Sequence, residues 1–346
     1  MSEESTRRRQ VTIVDVAREA GVSRAAVSKV IRNAAGVSPA MRTRVDAAIR
    51  ELNYRPSASA RAMRGSSYTL GLEIPHLGNQ FLNQVIGGAR RALDQTPYQL
   101  IIAPADGPEY SAIEALADRQ VDGIVAVSPL VEPAWLERLA ERVPVVMVGR
   151  HDDPRNYDNV VGDDVTGARQ VMAHLLGLGH RRIAHLTERP SVTAPGSGIP
   201  HSFRLRVYEE CMVSAGLGSH VQVVRAGPLE NSARDATAAL LAREPRPTAI
   251  FAAHDELAIG ALAAIAERGL TAREVSLAGY DDTELAAHPA ISLTSVNQSG
   301  PEMGRRAVTM LLERIAGRTE PSRCSMTPTL QVRTSTAPPL PDGAMP

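Results

Sequence analysis

Two short helices joined by a tight turn are predicted near the start of the chain, over residues 13–32. Gly21 can take the left-handed backbone conformation that ends a helix, and Ser23 is a favoured cap for the helix that follows. Two short helices that meet at a glycine-containing turn are typical of the helix-turn-helix, whose second helix enters the major groove of DNA. The apolar face of the first helix consists of Ile13, Val16, Ala17 and Ala20, which follow the i, i+3, i+4, i+7 spacing.

A second helix over residues 24–32 and a third helix complete a three-helix unit. The second helix carries Arg24 and Lys29 on its outward face, and the third is predicted to start at a Ser38 cap with Pro39 in its first position. An ordinary packing unit with a solvated basic face would show the same pattern. The inward-facing residues are Val27, Val30 and Ile31 in the second helix and Val45, Ala48, Ile49 and Leu52 in the third.

The distribution of charge favours a nucleic-acid-binding segment at the N-terminal end. The chain of 346 residues has a formal net charge of zero, but residues 1–64 carry 13 basic and 6 acidic residues, against 25 and 32 in the rest. Such asymmetry indicates a DNA-binding segment attached to a body that does not bind nucleic acid. The length also exceeds what one compact core accommodates, which predicts two or three domains.

The body of the chain, from about Tyr68, alternates short apolar strands with helices. The strands have the continuous apolar character of buried parallel strands. Because the alternation restarts after Gly162, it predicts an α/β fold with two doubly wound halves of about equal length. The predicted strands are 70–74, 100–103, 123–127, 143–148, 183–186, 249–252 and 276–280, and the predicted helices are 84–93, 111–119, 168–176 and 204–215.

Several function classes lack the motifs that they require. Cys211 and Cys324 are the only cysteines and have no metal-ligand spacing, so neither a disulfide framework nor a metal site is expected. Lys29 is the only lysine, which excludes a phosphate-binding Gly-Lys-Ser/Thr loop, and no hydrolase elbow or His-Glu-x-x-His helix is present. We therefore expect a protein that is not an enzyme and uses no cofactor. The chain lacks apolar runs of membrane-spanning length and a signal peptide before Val11, which favours a cytoplasmic protein.

Motifs along nearly the whole chain resemble those of the lactose-repressor family of bacterial transcription regulators. Their order and spacing match that family from about residue 11 to 335. The resemblance implies an N-terminal all-α helix-turn-helix headpiece and two doubly wound parallel α/β subdomains of periplasmic-binding-protein type. The motifs are the helix-turn-helix, Asn53-Tyr-Arg-Pro56, Val121-Asp-Gly-Ile-Val125, Leu178-Gly-His-Arg-Arg-Ile183 and Gly279-Tyr-Asp-Asp282.

The resemblance also implies domain bounds and an assembly. Two subunits would pair through their bodies, and the chain would cross three times between the halves of each body. The Pro-rich tail lacks the leucine heptads of tetrameric members, so we expect a homodimer with a disordered tail. The implied bounds are 1–56 for the headpiece, 57–67 for a hinge helix and linker, 68–336 for the effector-binding body (68–161 with 298–325, and 162–297 with 326–336) and 337–346 for the tail.

By the same resemblance, the two headpieces of a dimer would sit on a pseudo-palindromic operator in double-stranded DNA. Arg24, Ala25 and Lys29 match the family's specificity positions, and residues 57–64 would fold into a hinge helix on the operator. Met63 would wedge into the minor groove, where many members have leucine. The predicted DNA contacts are Thr12, Ser23, Arg24, Ala25, Ser28, Lys29, Arg32, Tyr54, Ser57, Ala60 and Met63.

The carboxyl ends of the predicted strands indicate a ligand cleft between the two halves. An arginine with carboxylates and an aromatic ring suits a sugar, whose hydroxyls they bind and whose apolar face the ring covers. The resemblance matches Arg204 and Asp281 to effector-binding residues and Phe81 to an aromatic pair, whose second member is here Leu82. A loop residue or a helix cap would equally explain any single member of the predicted set, which is Asn79, Phe81, Ser128, Arg150, Arg204, His254 and Asp281.

The predicted function is that of a repressor whose affinity for DNA responds to a small, sugar-like effector. An activator or dual regulator of the same build is an alternative, as is a sugar-binding protein without regulatory output, which would need a secretion signal and no headpiece. Whether the effector releases DNA or enforces its binding depends on which of two states it prefers, so the sign of the response stays open.

Overall fold

The computed structural model describes residues 11–31, 34–54, 66–105 and 110–341. The chain divides into two compact units, one that extends to Ser67 and includes the headpiece, and a body that begins at Tyr68. Within the described ranges, every helix is too short or too polar to cross a bilayer.

The described part of the headpiece contains three helices, as predicted, and its turn and caps have the expected chemistry. Gly21 has a φ of +62°, and the Ser23 hydroxyl accepts a hydrogen bond from the Ala26 N–H at 3.1 Å. The Ser38 hydroxyl accepts from the Met41 N–H at 3.3 Å. The helices are α1 (Ile13–Glu19), α2 (Arg24–Ile31) and α3 (Pro39–Glu51), and the buried core consists of Val16, Ala17, Ala20, Val27, Val30, Val45, Ala48 and Tyr54.

The body contains two sheets, and their largely parallel pairing confirms the predicted α/β class. In the described part of the chain each sheet has six strands. The first contains β1 (Thr69–Ile74), β2 (Gln99–Pro104), β3 (Gly123–Val127), β4 (Val145–Val148), β5 (Asp158–Gly162) and β11 (Arg323–Met326). The second contains β6 (Ile183–Thr187), β7 (Gln222–Arg225), β8 (Ala249–Ala252), β9 (Ser276–Asp281), β10 (Thr294–Asn297) and β12 (Thr329–Gln331).

Strand order shows how the chain is shared between the two sheets. The first sheet runs β11-β5-β4-β3-β1-β2 and the second β12-β10-β9-β8-β6-β7. In the described part of the chain, neighbouring strands of both sheets pair in parallel, except β10 and β12, which pair antiparallel. The chain leaves the first sheet after β5, returns after β10 and leaves again between β11 and β12.

The helices of the body flank the two sheets. They are α4 (Gln80–Ala92), α5 (Ser111–Asp118), α6 (Pro133–Ala140), α7 (Asp164–Gly177), α8 (Pro190–Thr193), α9 (Pro200–Ser214), a 3₁₀ turn (Gly218–His220), α10 (Glu230–Leu241), α11 (Asp255–Glu267), α12 (Glu284–Ala287) and α13 (Gly300–Ile315).

Three of the predicted helices begin four residues, about one turn, earlier than the apolar pattern indicated. Each early start has a capping group or a proline. The Asn79 side chain accepts from the Leu82 N–H at 2.9 Å before α4, the Asp163 side chain accepts from the Thr166 N–H at 3.0 Å before α7, and Pro200 opens α9. A first turn that is polar shows no apolar periodicity, so the capping residue or proline is the sequence signal for the start of the helix.

The tail was predicted to be disordered, and for residues 337–341 this is wrong. The Ala337 N–H donates to the Ser276 hydroxyl at 2.9 Å, and the Ala337 carbonyl accepts from the same hydroxyl at 2.9 Å. That carbonyl also lies 3.0 Å from His180 Nε2. Proline has no backbone N–H, so a proline-rich segment has fewer groups that need a hydrogen-bond partner. A few hydrogen bonds therefore order this segment despite its high proline content. Residues 342–346 lie outside the described residues.

Helices α4 and α13 pack with their backbones in close contact, and glycines make this approach possible. A Cβ atom on Gly88 would clash with the carbonyl of Pro301, and one on Gly304 would clash with the carbonyl of Val85. Gly87, one residue away on α4, has space: its nearest neighbour would be a terminal nitrogen of Arg91 at 3.6 Å. The core of the first sheet depends on this contact, because both helices contribute to it.

We predict opposite effects for alanine at the two neighbouring glycines. Gly88→Ala should lower the free energy of unfolding by roughly 1–3 kcal/mol, because the added methyl group forces the two helices apart. Gly87→Ala is the matched control and should raise stability by up to ~1 kcal/mol through helix propensity. Urea unfolding followed by circular dichroism measures both, and equal effects of the two variants would contradict the close helix contact.

Candidate nucleic-acid interface and ligand cleft

The outward face of α2 carries the positive charge that a DNA-reading helix needs. Arg24, Ala25 and Lys29 are exposed, whereas Val27 and Val30 are buried in the headpiece core. Arginine and lysine are the side chains that most often bind guanine in the major groove. The arrangement therefore leaves Arg24 and Lys29 exposed for base contacts, while Val27 and Val30 anchor the helix in the headpiece core.

The other predicted DNA contacts are placed less uniformly. Ser23 is exposed and caps α2, and Ser28 is half-buried. Thr12 is exposed before α1, where its N–H and its hydroxyl both donate to Asp15 Oδ2, at 2.9 and 2.7 Å. These three polar positions remain predicted contacts. Arg32, Ser57, Ala60 and Met63 lie outside the described residues.

Tyr54, another predicted DNA contact, is only 7% exposed and packs in the headpiece core. Its backbone N–H donates to the carbonyl of Ile49 at 3.0 Å and so closes the end of α3. A large aromatic residue completes a three-helix core that is otherwise built from small aliphatic side chains, which accounts for its position.

A cavity of about 430 Å³ lies between the two sheets of the body. Residues from both halves line it, and several stand where a strand ends, as expected for doubly wound sheets. Ser128 follows β3, and Asp281 is the last residue of β9. Six of the seven predicted effector residues line this cavity: Asn79, Phe81, Ser128, Arg204, His254 and Asp281.

A buried ion pair at the cavity wall fixes Arg204. Its Nε donates to Asp164 Oδ1 at 2.8 Å, its Nη1 donates to the carbonyl of Ala253 at 2.6 Å, and its guanidinium lies 3.6 Å from the centre of the Tyr280 ring. Asp164 Oδ2 lies 2.8 Å from His151 Nε2. Burial alone would raise the pKa of Asp164, but the charge of Arg204 and the hydrogen bond with His151 together outweigh it and hold that pKa below its usual value.

Asp281 has the opposite electrostatics. Burial raises its pKa well above the usual value, although the nearby charge of Arg204 lowers it in part. Gln298 Nε2 donates to Asp281 Oδ1 at 2.5 Å, and Gln298 also lines the cavity. Burial therefore opposes the charged form of Asp281, which accepts a hydrogen bond from Gln298.

The structure places Arg150 differently from the other six predicted effector residues. Arg150 is buried, but it is not among the cavity-lining residues. Its Nε and Nη2 donate to the carboxylate of Asp152 at 2.6 and 3.1 Å. Its Nη1 donates to the carbonyls of Pro129 and Val131 at 2.6 and 3.0 Å. The guanidinium therefore ties together the loops that follow β3 and β4, and the strand-end rule alone does not separate such a role from ligand binding.

A second group of charges surrounds His254 at the start of α11. His254 Nε2 lies 3.3 Å from Glu188 Oε1, and its Nδ1 lies 3.2 Å from Glu256 Oε2. Burial lowers the pKa of His254, but hydrogen bonds to the two glutamates raise it to about 10. Burial raises the pKa of Glu188, but His254 and His201 lower it to about 2. Burial lowers the pKa of His201 to about 3, so its ring is neutral.

Glu256 also joins the two halves of the body at the cleft. Its Oε2 accepts from Asn79 Nδ2 at 2.9 Å, and its Oε1 accepts from the Gln80 N–H at 2.6 Å. A further link at this edge is the hydrogen bond from the Leu285 N–H to Gln80 Oε1 at 3.3 Å. We call these three hydrogen bonds the rim contact. Since α4 flanks the first sheet and α11 the second, the rim contact connects the two halves of the body across the cleft.

Sequence reasoning missed several residues of the cleft. Glu188 directly follows β6, so the strand-end rule could have selected it. Gln298 directly follows β10, whose polar composition hid the strand. His201 lies in the first turn of α9, where no signal distinguished it. The missed residues of the site are Asp164, Glu188, His201, Glu256 and Gln298.

We predict that the ion pair at the wall makes Arg204 intolerant of substitution. Arg204→Met should lower the free energy of unfolding by about 3–5 kcal/mol, because it leaves Asp164 buried without its main counter-charge. Adding Asp164→Asn should recover part of that loss, since the two groups act as a pair. Arg206→Met is the control, because Arg206 is exposed on the same helix and should cost less than ~1 kcal/mol. Strictly additive losses in urea unfolding would contradict the coupling.

The chain matches two families of known proteins. Residues 12–57 match the bacterial regulatory proteins of the lacI family, and residues 172–336 match the periplasmic binding protein-like domain. The chain is 32% identical over 333 residues to the ribose operon repressor of Escherichia coli K12, which covers 94% of this chain and 99% of that protein. It is 33% identical over 345 residues to the transcriptional regulator CelR of Thermobifida fusca, which covers 95% and 99%.

Solved structures of similar proteins extend over the same length. The lac repressor dimer bound to operator and an anti-inducer has a TM-score of 0.76 at 27% identity, and the match covers 95% of this chain and 100% of that one. The complex of CelR with cellobiose has a TM-score of 0.67 at 31% identity, and the match covers 94% and 100%.

Proposed function

Because this chain belongs to the lacI family of bacterial regulatory proteins, we propose that it is a transcriptional repressor that responds to a small ligand. The observation that carries this proposal is the presence, in one chain, of an exposed basic helix and a polar cleft. Arg24 and Lys29 supply the first, and the cavity beside Arg204 and Asp281 supplies the second. The protein would act on DNA in the cytoplasm and catalyse no reaction of its own.

On DNA, two copies of the chain form a dimer and place their α2 helices in successive major grooves of a pseudo-palindromic operator. The proposed DNA-binding headpiece is residues 1–56, and residues 57–67 form the hinge. Met63 of each hinge wedges into the central minor groove. The exposed faces of the two helices read bases, and the polar groups of Thr12, Ser23 and Ser28 bind phosphates.

The ligand proposed for the cleft is a sugar or sugar derivative. The cavity of about 430 Å³ lies within the ~300–1,000 Å³ typical of small-molecule sites. The carboxyl group of Asp281, the hydroxyl of Ser128 and the ring of Phe81 all line this cavity. Hydroxyl groups of a sugar are both donors and acceptors, so they suit this mixture better than a purely anionic ligand does. One relative is named the ribose operon repressor, and the solved structure of another, CelR, is a complex with cellobiose.

Ligand binding would act on DNA through the angle between the two halves of the body. A ligand that contacts both walls stabilises the closed cleft, in which the rim contact forms. The two states must bind the ligand unequally, and the difference in binding free energy sets how far the population shifts.

The DNA half of the proposal predicts a sequence-specific effect of Arg24. Arg24→Ala should weaken binding to the operator by about 1–3 kcal/mol and relax the preference at one symmetric base pair. Arg44→Ala is the matched control, since it removes the same charge from an exposed position on α3. Fluorescence anisotropy on operator and random duplexes, with the operator taken from footprints upstream of regulated genes, measures both. A uniform loss over all duplexes would show that Arg24 contacts only phosphate.

The ligand half predicts a hit in a sugar panel that depends on Asp281. Thermal-shift screening of the full chain against monosaccharides, disaccharides and their phosphates should find a ligand that raises Tm, as expected for binding to the native state alone. Asp281→Ala should weaken that ligand at least ~10-fold, about 1.4 kcal/mol. Asp153→Ala, at an exposed position, is the control. A sugar that binds equally well to both variants would place the ligand site elsewhere.

A further inference from the structure

Three metal-binding side chains converge at one side of the cleft. Glu188, His201 and His254 each offer one ligand atom, and these atoms all lie within 4.8 Å of one another. All three residues line the cavity. We call them the His–Glu cluster. They come from the end of β6, the first turn of α9 and the start of α11, so a single half of the body holds all of them.

Two distances within the cluster are close to those of a tetrahedral zinc site. Zinc binds histidine nitrogen and carboxylate oxygen at about 2.0–2.1 Å, which separates the ligand atoms of a tetrahedron by about 3.3–3.4 Å. Glu188 Oε1 lies 3.3 Å from His254 Nε2 and 3.6 Å from His201 Nε2. The ligand atoms of the two histidines lie within 4.8 Å of each other, so a side-chain shift of at most about 1.5 Å would complete three of the four ligand positions.

The histidine nitrogens of the cluster are available for a metal. Within the described part of the chain, neither ring nitrogen of His201 makes a hydrogen bond, and His254 Nε2 faces Glu188 Oε1, itself a member of the cluster, at 3.3 Å. His254 is only 4% exposed. Buried ring nitrogens are normally hydrogen-bonded, and one metal ion would satisfy the Nε2 atoms of both histidines.

A further carboxylate already orients one of the histidines. His254 Nδ1 faces Glu256 Oε2 at 3.2 Å, on the side of the ring away from Glu188. Histidine ligands of metals usually donate their other N–H to a carboxylate, which fixes the tautomer and the direction of the ring. Glu256 is held in turn by the rim contact with Asn79 and Gln80, so this outer residue links the cluster to the opposite half of the body.

We propose that Glu188, His201 and His254 bind a zinc ion, with the fourth position open toward the cavity. Two imidazoles and one carboxylate favour zinc over magnesium or calcium, which prefer oxygen ligands. Three protein ligands with an open fourth position would let the metal accept a water or a ligand oxygen. Glu256 acts as a positioning residue, since it touches the metal only through His254. In the competing explanation, His254 is a cation between two glutamates and the cluster binds no metal.

Zinc binding to the metal-stripped full chain, with any histidine tag removed, tests the proposal. Isothermal titration with zinc chloride should give one site per chain, and cobalt should give the intense visible absorption of a tetrahedral complex. His201→Gln should weaken zinc binding at least ~100-fold, and Glu256→Gln should weaken it by 10–100-fold, as for other residues that orient a ligand. His220→Gln is the control, because His220 is exposed and outside the cluster.

The outcomes separate the two explanations. Absence of a one-equivalent site, or equal zinc affinity in wild type and His201→Gln, would overturn the proposal in favour of the ion-pair arrangement. If His201→Gln fails to fold by circular dichroism, Glu188→Gln replaces it, with the same loss of zinc affinity expected. Zinc is titrated without DNA or sugar, so a negative result leaves the assignment as a regulator untouched.

Discussion

The buried pair of Asp164 and Arg204 is the interaction on which the cleft depends. It joins the first turn of α7 to α9, and the second contact of Arg204, with the carbonyl of Ala253, reaches the end of β8. Through His151, the same carboxylate reaches a loop of the first half. Replacing the pair by apolar side chains would cost little stability in many proteins, so its value here lies in holding several strand ends in one arrangement.

The cleft also separates its charges into two groups with opposite behaviour. Around Arg204 and Asp164 the charges are matched, so both groups stay ionised. Asp281 is buried with less compensation, and burial raises its pKa. This contrast gives one wall of the cavity a matched ion pair and another a carboxyl group whose charge is opposed by burial.

Sequence patterns predicted the fold more completely than the site, for physical reasons. Apolar runs such as Gly123–Val127 identify buried strands because burial acts on every residue of the run. The packing of Arg150 and Tyr54 could not be predicted because it depends on neighbours that local sequence does not reveal. Arg150 contacts Asp152 and two carbonyls, and Tyr54 fills a core of small aliphatic side chains. His201 and His254 meet only in three dimensions, so no spacing could have suggested their cluster.

The three passages of the chain between the sheets have a consequence for how the cleft moves. One residue separates β5 from α7, and two residues each separate β10 from α13 and β11 from β12. Three such short connections allow the two halves of the body to bend toward each other but resist sliding and twisting of one half against the other. Asp164 directly follows the first passage and Gln298 lies within the second, and both border the cavity. A ligand in this cavity would therefore contact side chains at the connections between the two halves. A small displacement of these side chains would change the angle between the halves and move their far ends by a larger distance.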